Sequence, residues 1–142
     1  MPINPYLNFA GNCREVVEFY ADVFHTEKPV IMTFGEMPGD PAHPLPPGVE
    51  NWVLHARMSI AGTDVMFSDV FPGMELIMGN NVSLTVVSTN RDEIRSAFNR
   101  LKEGGTVHMD LQETFWSKLY GNLRDKYGIE WQLSLDSGET FP

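Results

Sequence analysis

Alternating hydrophobic and polar residues predict β-strands along most of this chain. The clearest alternation is near the end of the chain, where the apolar residues Trp131 and Leu133 alternate with single polar residues. Because successive side chains of a strand point to opposite faces, this strand has one apolar and one polar face. The preceding strand joins it through a tight turn at residues 125–128, in which Gly128 can adopt a positive φ. Residues 116–135 are therefore predicted to form a β-hairpin.

Six further strands and two helices are predicted from the period of the pattern. The strands lie at residues 3–9, 26–34, 52–60, 64–69, 81–87 and 106–113. Apolar residues recur at helical spacing at 13–24 and again at 90–101. Asn12 followed by Glu15 resembles a capping box for the first helix, and Gly104–Gly105 ends the second. The order strand, helix, three strands thus occurs twice.

The two halves of the chain share this order and also match at single positions. Gly62, Met66 and Ser68 of the first closing hairpin correspond to Gly128, Gln132 and Ser134 of the second. We therefore predict an α+β fold in which tandem βαβββ modules form a curved mixed sheet. The chain is predicted to be a single domain, 1–142, with module one at about 1–78 and module two at about 79–138. Leu84 is expected to correspond to Leu7 or to Asn8, and a slip of one residue would exchange the two faces.

Residues 35–51 interrupt the first module with five prolines. Proline lacks a backbone donor and restricts φ, so this density excludes a helix and a central strand. We expect a long exposed loop. It is either a tolerated insertion or a lid or dimer arm, because long loops in compact domains are often functional.

The composition narrows the possible partners and location. A net charge of −9 argues against nucleic acid and anionic membranes, which attract basic proteins. Cys13 is the only cysteine, which excludes an internal disulfide and favours a reducing cytoplasm. No apolar run approaches the roughly 20 residues that span a bilayer, and the N-terminal residues do not resemble a signal peptide. We expect a cytoplasmic protein.

Each module has one predicted helix, which can cover only one face of its sheet. If the apolar faces pack on the helices, the polar faces curve around solvent, a ligand or a partner subunit. The side chains predicted on the polar faces are those of His55, Arg57, Asp64, Met66, Ser68, Asn81, Ser83, Thr85, Tyr120, Asn122, Arg124, Glu130, Gln132 and Ser134. A solvated sheet face is the alternative, because alternation does not distinguish a pocket from water.

Several of these side chains suit a ligand. An imidazole titrates near neutral pH, so His55 is either a ligand contact or general base, or a hydrogen-bonded structural histidine. Arg57 and Arg124 would hold an anionic ligand by paired donors or would form surface salt bridges. Trp116 and Tyr120 could supply aromatic walls.

Other candidate side chains have a structural explanation. Cys13 is at the first turn of a helix, where a thiolate is favoured, but it faces the apolar side and is expected to be buried. His108 and Asp110 share a strand face and either chelate an ion together or lie in solvent. Asp69 falls on the face opposite Met66 and is expected to cap the end of its strand.

Four stretches of the chain resemble a known superfamily. They are NPYLNFAGNCREVVEFY at 4–20, LHARMSIAGTDVMFSD at 54–69, TFWSKLYGNLRDKYGIEWQL at 114–133 and, more loosely, VSLTV at 82–86. They are similar to the vicinal oxygen chelate superfamily, which includes glyoxalase I and bleomycin-resistance proteins. Within it, the chain most resembles the PhnB-like group, often labelled demethylubiquinone 3-methyltransferase-like. The resemblance implies paired βαβββ modules, a cup-shaped sheet and a homodimer.

The methyltransferase label is not carried over as chemistry. No glycine-rich loop leads from a strand into a helix, as it does where a nucleotide-like cofactor is held. The segment GEMPGD from Gly35 lies in the proline-rich loop and does not open a helix. We therefore predict no cofactor.

The resemblance also implies where a divalent ion would bind. Metalloenzymes of the superfamily hold it with His and Glu side chains at four positions, which fall here on Pro5, Met66, Asn81 and Gln132. Proline and methionine do not bind such an ion and neutral amides are poor ligands, whereas a catalytic site usually needs three protein ligands. The usual metal set is therefore predicted to be absent, and no residue is assigned as a metal ligand.

We expect a metal-free homodimer that binds a small organic ligand. The expected contacts are His55, Arg57, Met66, Ser68, Asn81, Ser83, Tyr120, Asn122 and Gln132. The expected partners are a second copy of the chain and an unidentified small organic ligand, with no nucleic acid and no membrane. One alternative is a metal-dependent isomerase, lyase or dioxygenase with a non-standard site near His55 and Glu130. Another is a structural or sequestering dimer without a ligand.

Overall fold

The computed structural model describes residues 1–138. The chain divides into two compact units, of which the first spans Met1–Ile77 and the second begins at Met78. Within the described residues, each unit contains one α-helix and one four-stranded sheet. In this part of the chain no helix is long and apolar enough to cross a bilayer. That the two units together form one domain stays a prediction.

The first unit is a βαβββ module. Its elements are β1 (Tyr6–Phe9), α1 (Cys13–Val23), β2 (Ile31–Thr33), β3 (Val53–Ile60) and β4 (Thr63–Asp69). The strand order is β1-β4-β3-β2, with β1 parallel to β4 and the other pairs antiparallel. Since β1 is an edge strand, Pro5 immediately before it removes no hydrogen bond from the centre of the sheet.

The second unit repeats this arrangement. Its elements are β5 (Leu84–Ser88), α2 (Arg91–Leu101), β6 (Thr106–Gln112), β7 (Tyr120–Arg124) and β8 (Glu130–Leu135). The strand order is β5-β8-β7-β6, and β5 is the strand that runs parallel to its neighbour. The predicted α+β fold with tandem βαβββ modules is confirmed, and its strands form two mixed sheets of four.

In each unit the helix packs on one face of the sheet. Val16, Val17 and Tyr20 of α1 are fully buried, and the Tyr20 ring lies 6.1 Å from the ring of Phe67 in β4. Burial of such apolar surface is the main force that holds helix and sheet together. The polar face of β4 is therefore the face that α1 does not cover.

The second helix buries the side that its sequence predicts. Its buried residues are Ile94, Ala97, Phe98 and Leu101. A Cβ atom at Gly121 of β7 would lie 2.8 Å from Phe98 Cε2 and 3.1 Å from the Met109 carbonyl oxygen. Glycine at this position therefore lets α2 approach the sheet closely.

The closing hairpins of the two units have the same turn glycine. Gly62 has a φ of +88° and Gly128 a φ of +90°, a region that glycine adopts without a Cβ clash. At the second turn, the Gly128 N–H donates to the Asp125 carbonyl oxygen at 3.0 Å. The predicted hairpin is thus confirmed.

Two strands of the first unit are shorter than predicted. β1 begins at Tyr6 instead of residue 3, and β2 spans Ile31–Thr33 instead of 26–34. Pro5 and Pro29 precede these strands and supply no N–H group for a longer ladder. The two prolines therefore set where β1 and β2 begin, and the hydrophobic pattern alone places both starts too early.

The opening strand of the second unit is also shorter than predicted. Leu84 is its first residue and pairs with Trp131, the second residue of β8. The residues before β8 belong to the hairpin turn. They therefore provide no strand with which the residues before Leu84 could pair. The prediction that Asn81 lies on this strand was wrong.

The parallel register relates the two opening strands. Leu84 pairs with Trp131, and Trp131 corresponds to Val65 when the closing hairpins are matched. In the first sheet, the residue in register with Val65 is Pro5, one position before the Tyr6 pair. The predicted match of Leu84 to residue 7 or 8 was therefore wrong.

The N-terminus of α1 is capped by a distant carboxylate. The expected capping box is absent, because Asn12 makes no side-chain hydrogen bond to the helix. Instead, Asp69 Oδ1 accepts the N–H of Gly11 at 2.7 Å and that of Cys13 at 3.0 Å. Asp69 Oδ2 accepts the Val53 N–H at 2.9 Å. The residue expected to cap a strand end therefore caps the helix and ties it to β3.

The N-terminus of α2 has a local cap. Asn90 Oδ1 accepts the N–H of Asp92 at 2.9 Å and that of Glu93 at 3.3 Å. This arrangement confirms the predicted start of the helix and its acidic first turn.

A second buried aspartate organises the final hairpin. Asp125 is 2% exposed, and its Oδ1 accepts the N–H of Tyr127 at 2.9 Å and that of Ile129 at 3.1 Å. Its Oδ2 accepts from Trp131 Nε1 at 2.8 Å. One carboxylate thus fixes both the turn and the largest side chain of the core.

The proline-rich segment 35–51 is exposed over most of its length, as predicted. Its base is closed by hydrogen bonds from the Phe34 N–H to the Trp52 carbonyl at 3.0 Å and from the Gly35 N–H to the Glu50 carbonyl at 2.9 Å. The role of the segment as a lid or dimer arm stays a prediction.

Candidate functional site

Four of the predicted ligand contacts share one face of the first sheet. His55 and Arg57 lie on β3, Met66 and Ser68 lie on β4, and Arg57 pairs directly with Met66. Alternation along both strands directs all four side chains to the face opposite α1. His55 and Met66 are half-buried, Ser68 is buried and Arg57 is exposed. This set of residues is therefore brought together by the fold.

Two residues of β1 join this face, although they were not among the predicted candidates. The Tyr6 hydroxyl lies 3.3 Å from His55 Nδ1, and the two ring centroids are 5.9 Å apart. Ser68 Oγ donates to Asn8 Oδ1 at 3.1 Å. The two-residue period of residues 6–9 was the signal that could have identified both.

In the second unit, four predicted contacts form one chain of hydrogen bonds. The Tyr120 hydroxyl donates to Gln132 Oε1 at 2.5 Å, and Gln132 Nε2 donates to Ser83 Oγ at 2.7 Å. Asn122 Nδ2 donates to the Tyr120 hydroxyl at 3.4 Å, a longer and weaker contact. The orientation of the Gln132 amide is therefore set from both ends.

Aromatic side chains adjoin this hydrogen-bonded chain. The ring of Trp116 packs edge-on against Tyr120, with centroids 5.2 Å apart. Phe115 packs edge-on against Trp116 at 4.9 Å and is 85% exposed. Trp116 thus lies where an aromatic wall was predicted, whereas Trp131 is 2% exposed and belongs to the core, as expected.

Glu130 holds two basic side chains of the second unit. Its Oε1 accepts from Arg124 Nε at 3.3 Å and from Arg124 Nη2 at 3.2 Å. Its Oε2 lies 3.3 Å from His108 Nε2. His108 therefore pairs with Glu130, and chelation of an ion by His108 with Asp110 stays a prediction. For Arg124, the salt-bridge alternative is the one observed.

A cavity of about 300 Å³ lies at the turn end of the second sheet. It is lined by Met78, Gly79, Asn80, Arg124 and Gly128. This volume is at the lower end of the range of about 300–1,000 Å³ for ligand pockets. None of the nine predicted contacts lines it. Asn81 follows directly in the chain, is exposed, and lies outside the hydrogen-bonded chain.

The residues at the superfamily's four metal positions do not fit a divalent ion. Pro5 has no side-chain donor atom, and Met66 offers only a soft thioether. Asn81 precedes its strand, and the Gln132 amide is engaged on both sides. Between residues 1 and 138, no group of three His, Cys, Asp or Glu side chains lies close enough to hold a metal.

Cys13 is an unreactive thiol at the start of α1. It is completely buried, as expected, and this burial raises the pKa of the thiol. The Asp69 carboxylate raises the pKa further, and the opposing effect of Arg14 is smaller. The thiol therefore stays protonated at neutral pH.

The fold defines the class of protein. The fosfomycin resistance protein FosX from Listeria monocytogenes matches 94% of this chain and 89% of its own, with a TM-score of 0.60 and 11% identity. At this identity the likeness shows the fold alone. Together with the two βαβββ modules, it identifies a glyoxalase/bleomycin-resistance-like fold.

The chain belongs to the family described as 3-demethylubiquinone-9 3-methyltransferase, which it matches over residues 2–134. Protein YjdN from Escherichia coli K12 is 34% identical over 141 residues, which are 95% of each chain. The solved structure of protein PA1353 from Pseudomonas aeruginosa is 30% identical, with a TM-score of 0.82 over 96% of this chain and 98% of that one. A putative 3-demethylubiquinone-9 3-methyltransferase, PhnB protein, from Bacillus cereus is 28% identical, with a TM-score of 0.73 over 96% and 100%. The resemblance to the PhnB-like group is confirmed.

Proposed function

We propose that this protein binds a small organic molecule on the polar faces of its sheets, without the metal of its superfamily. The observation that carries the proposal is the chain of hydrogen bonds Asn122–Tyr120–Gln132–Ser83 on the second sheet. Polar side chains held in fixed orientations next to apolar surface are typical of ligand sites. The nine predicted contact residues are the proposed ligand contacts.

Gln132 is the centre of the proposed site. Hydrogen bonds of 2.5 Å and 2.7 Å hold the two ends of its amide. A glutamine free in solvent loses up to about 2 kcal/mol of rotamer freedom when a ligand immobilises it. Here the Gln132 side chain loses its rotamer freedom when the protein folds. Ligand binding therefore does not have to immobilise it, which favours affinity.

The neighbouring aromatic residues supply the apolar part of the site. Trp116 adjoins Tyr120, and its partner Phe115 is almost fully exposed. Aromatic rings bind planar apolar groups with little loss of conformational freedom. A ligand with a planar portion and hydrogen-bonding groups fits this combination.

The chemistry in the family's description is not part of the proposal. Glycine-rich strand-to-helix loops hold nucleotide-like cofactors with the free N–H groups of a helix N-terminus. In this chain the Cys13 N–H of α1 is bonded to Asp69, and the Asp92 and Glu93 N–H groups of α2 are bonded to Asn90. Side chains of the protein itself thus cap both helix N-termini.

We also propose a cytoplasmic homodimer. The superfamily resemblance supports the dimer, and the single reduced thiol of Cys13 supports the cytoplasm. Light scattering coupled to size exclusion should give twice the chain mass of 16.0 kDa. A mass of one chain at all concentrations would contradict the dimer.

A thermal-shift screen of small organic molecules tests the ligand site. A ligand that binds only the folded state raises the melting temperature. We expect Gln132→Ala and Asn122→Ala to abolish the shift. The control Asn99→Ala, which removes the same amide from an exposed position of α2, should keep it. A shift that survives both sheet variants would contradict the site, and a screen without any shift would favour the ligand-free dimer.

Elemental analysis tests the metal-free part of the proposal. Protein purified without chelators is expected to contain far less than one equivalent of zinc, nickel, iron or manganese. About one tightly bound ion per chain would instead favour a metal-dependent isomerase, lyase or dioxygenase. Variants His55→Ala and Glu130→Gln would then show whether the ion uses the non-standard site.

A further inference from the structure

The two arginines of the polar faces have different surroundings. Arg124 directs both Nε and Nη2 at Glu130, so its charge is compensated within the chain. Arg57 forms no hydrogen bond or ion pair with any residue of the described part of the chain. Asp64 shares the face of Arg57, but the two side chains form no salt bridge. Arg57 is therefore a cation with unused donors.

Two further donors lie beside Arg57. His55 precedes it by two residues on β3, which is about 7 Å along a strand. Tyr6 pairs with Met66, and Met66 pairs with Arg57, so these three residues form one row across β1, β4 and β3. The Tyr6 ring extends over β4, and its hydroxyl reaches His55 Nδ1 at 3.3 Å. Met66 therefore lies between Tyr6 and Arg57 in this row, and His55 lies beside the row on β3.

The chemistry of this row is that of an anion site. A guanidinium group offers five N–H donors in a planar fork that matches an oxyanion. The contact between Tyr6 and His55 uses Nδ1 of the imidazole, and Nε2 has no partner among the described residues. Nε2 is a donor whenever it carries the proton. The half-buried Met66 supplies a polarizable apolar floor between these groups.

We propose that Tyr6, His55, Arg57 and Met66 form a site for an anionic group, a carboxylate or a phosphate, on the polar face of the first sheet. This inference rests on the proposed function, of which His55, Arg57 and Met66 are contacts, and adds the charge of the molecule that binds at this face, which is an organic anion. A chain with a net charge of −9 repels anions through its overall field. Specific capture of an anion therefore needs a local cation without a partner, and Arg57 is one.

Benzoate and benzamide test the subsite, because they have nearly the same size and differ in charge. Binding is measured by NMR from the Arg57 Nε–Hε and His55 Cε1–Hε1 signals. Benzoate is expected to shift both signals and to bind about tenfold or more tightly than benzamide. Arg57→Gln should remove this preference. Inorganic phosphate should displace benzoate, and the tighter of the two anions identifies the class.

Arg124→Gln is the matched control, since it removes the same group from an arginine that already has a partner. It is expected to leave benzoate binding unchanged. Arg57 is exposed, so Arg57→Gln should fold, which an unchanged melting temperature verifies. The inference is overturned if neither anion perturbs Arg57, if benzoate and benzamide bind alike, or if Arg57→Gln leaves the benzoate affinity unchanged.

The same signals separate this inference from the proposed function. A neutral ligand that perturbs Gln132 but requires no contact with Arg57 would keep the proposed function and overturn the anion subsite. Benzoate bound at Arg57, with no molecule of the screen dependent on Gln132 or Asn122, would support the subsite and contradict the proposed function.

Discussion

The two modules share one strand order but secure their helices by different residues. In the first, the distant Asp69 accepts two N–H groups at the start of α1 and a third from β3. In the second, Asn90 caps α2 locally, and the buried carboxylate, Asp125, serves the hairpin instead. In both modules the first N–H groups of the helix need a hydrogen-bond acceptor. The residue that supplies this acceptor differs between the two modules.

The polar faces differ in a similar way. On the second sheet, polar side chains bond to one another, as Gln132 does to Tyr120 and Glu130 does to Arg124. On the first sheet, Tyr6 and His55 are paired but Arg57 is not. The first face thus offers an uncompensated charge, and the second offers an ordered neutral network.

The largest expected effect concerns the two helix caps. Asp69→Ala should lower the free energy of unfolding by about 3 kcal/mol or more, since two buried N–H groups and one part-buried N–H group lose their acceptor. Asn90→Ala, at an exposed local cap, should cost about 1 kcal/mol. Urea unfolding of both variants measures the difference. Asp136→Ala is the control, because this exposed aspartate accepts one N–H, from Gly138. Equal losses at Asp69 and Asn90 would show that the distant carboxylate has no special role.

The hairpin glycines should give the next largest effect. Gly62→Ala and Gly128→Ala each force a positive φ on alanine, which costs about 1–2 kcal/mol. At Gly62 the new Cβ would meet nothing within 4 Å, whereas at Gly128 it would lie 2.7 Å from Met78 Cε. Because the end of a methionine side chain can move, the second loss should be only slightly larger. In a Met78→Ala background, denaturation should give equal losses at the two glycines, and a persistent gap would contradict equivalent turns.

A smaller effect is expected from the two tyrosine hydroxyls. Tyr120→Phe should cost about 1 kcal/mol, because the half-buried Gln132 loses a hydrogen bond. Tyr6→Phe should cost close to nothing, since Tyr6 is 43% exposed and water replaces its contact. Thermal and urea unfolding compare the pair. A loss at Tyr6 as large as that at Tyr120 would mean that the first face is as ordered as the second.

The last effect is absent at neutral pH and appears only at alkaline pH. Burial raises the pKa of the Cys13 thiol above its ordinary value of 9.0, so the unfolded chain loses this proton at a lower pH than the folded protein. The stability from this group is complete below pH 9 and is lost as the pH rises further, by at most about 1.4 kcal/mol per pH unit. Cys13→Ala should lack this slope in urea unfolding between pH 8 and 10.5. Identical slopes would show that the thiol ionises equally in both states.

The hydrophobic pattern located every strand and both α-helices of the described chain but not every boundary, and it missed a short 3-10 helix at Phe34–Glu36. α2 begins and ends where its cap and glycines predict, because these signals are local in the chain. The edge strands β1, β2 and β5 were placed too long, since the length of an edge strand depends on its neighbour and on donors that proline removes. Because the predicted start of β5 was too early, Asn81 was assigned to a sheet face, although the strand begins at Leu84.

The site was predictable to the level of a sheet face. Alternation placed His55 with Arg57 and Gln132 with Ser134, because the side-chain period of a strand is local. It could not assign partners. Whether Arg124 or Arg57 would remain unpaired depends on Glu130, which reaches Arg124 only through the pairing of β7 with β8.

The sequence by itself determined that two βαβββ modules would form and which faces would be polar. These properties depend on residue type and short spacing. The tertiary structure alone decided that Asp69 caps α1, that Gln132 joins Tyr120 to Ser83, and that Arg57 is left without a partner. Hydrogen bonds and ion pairs form between atoms a few ångströms apart, and only strand pairing brings residues that are dozens of positions apart in the chain to that distance.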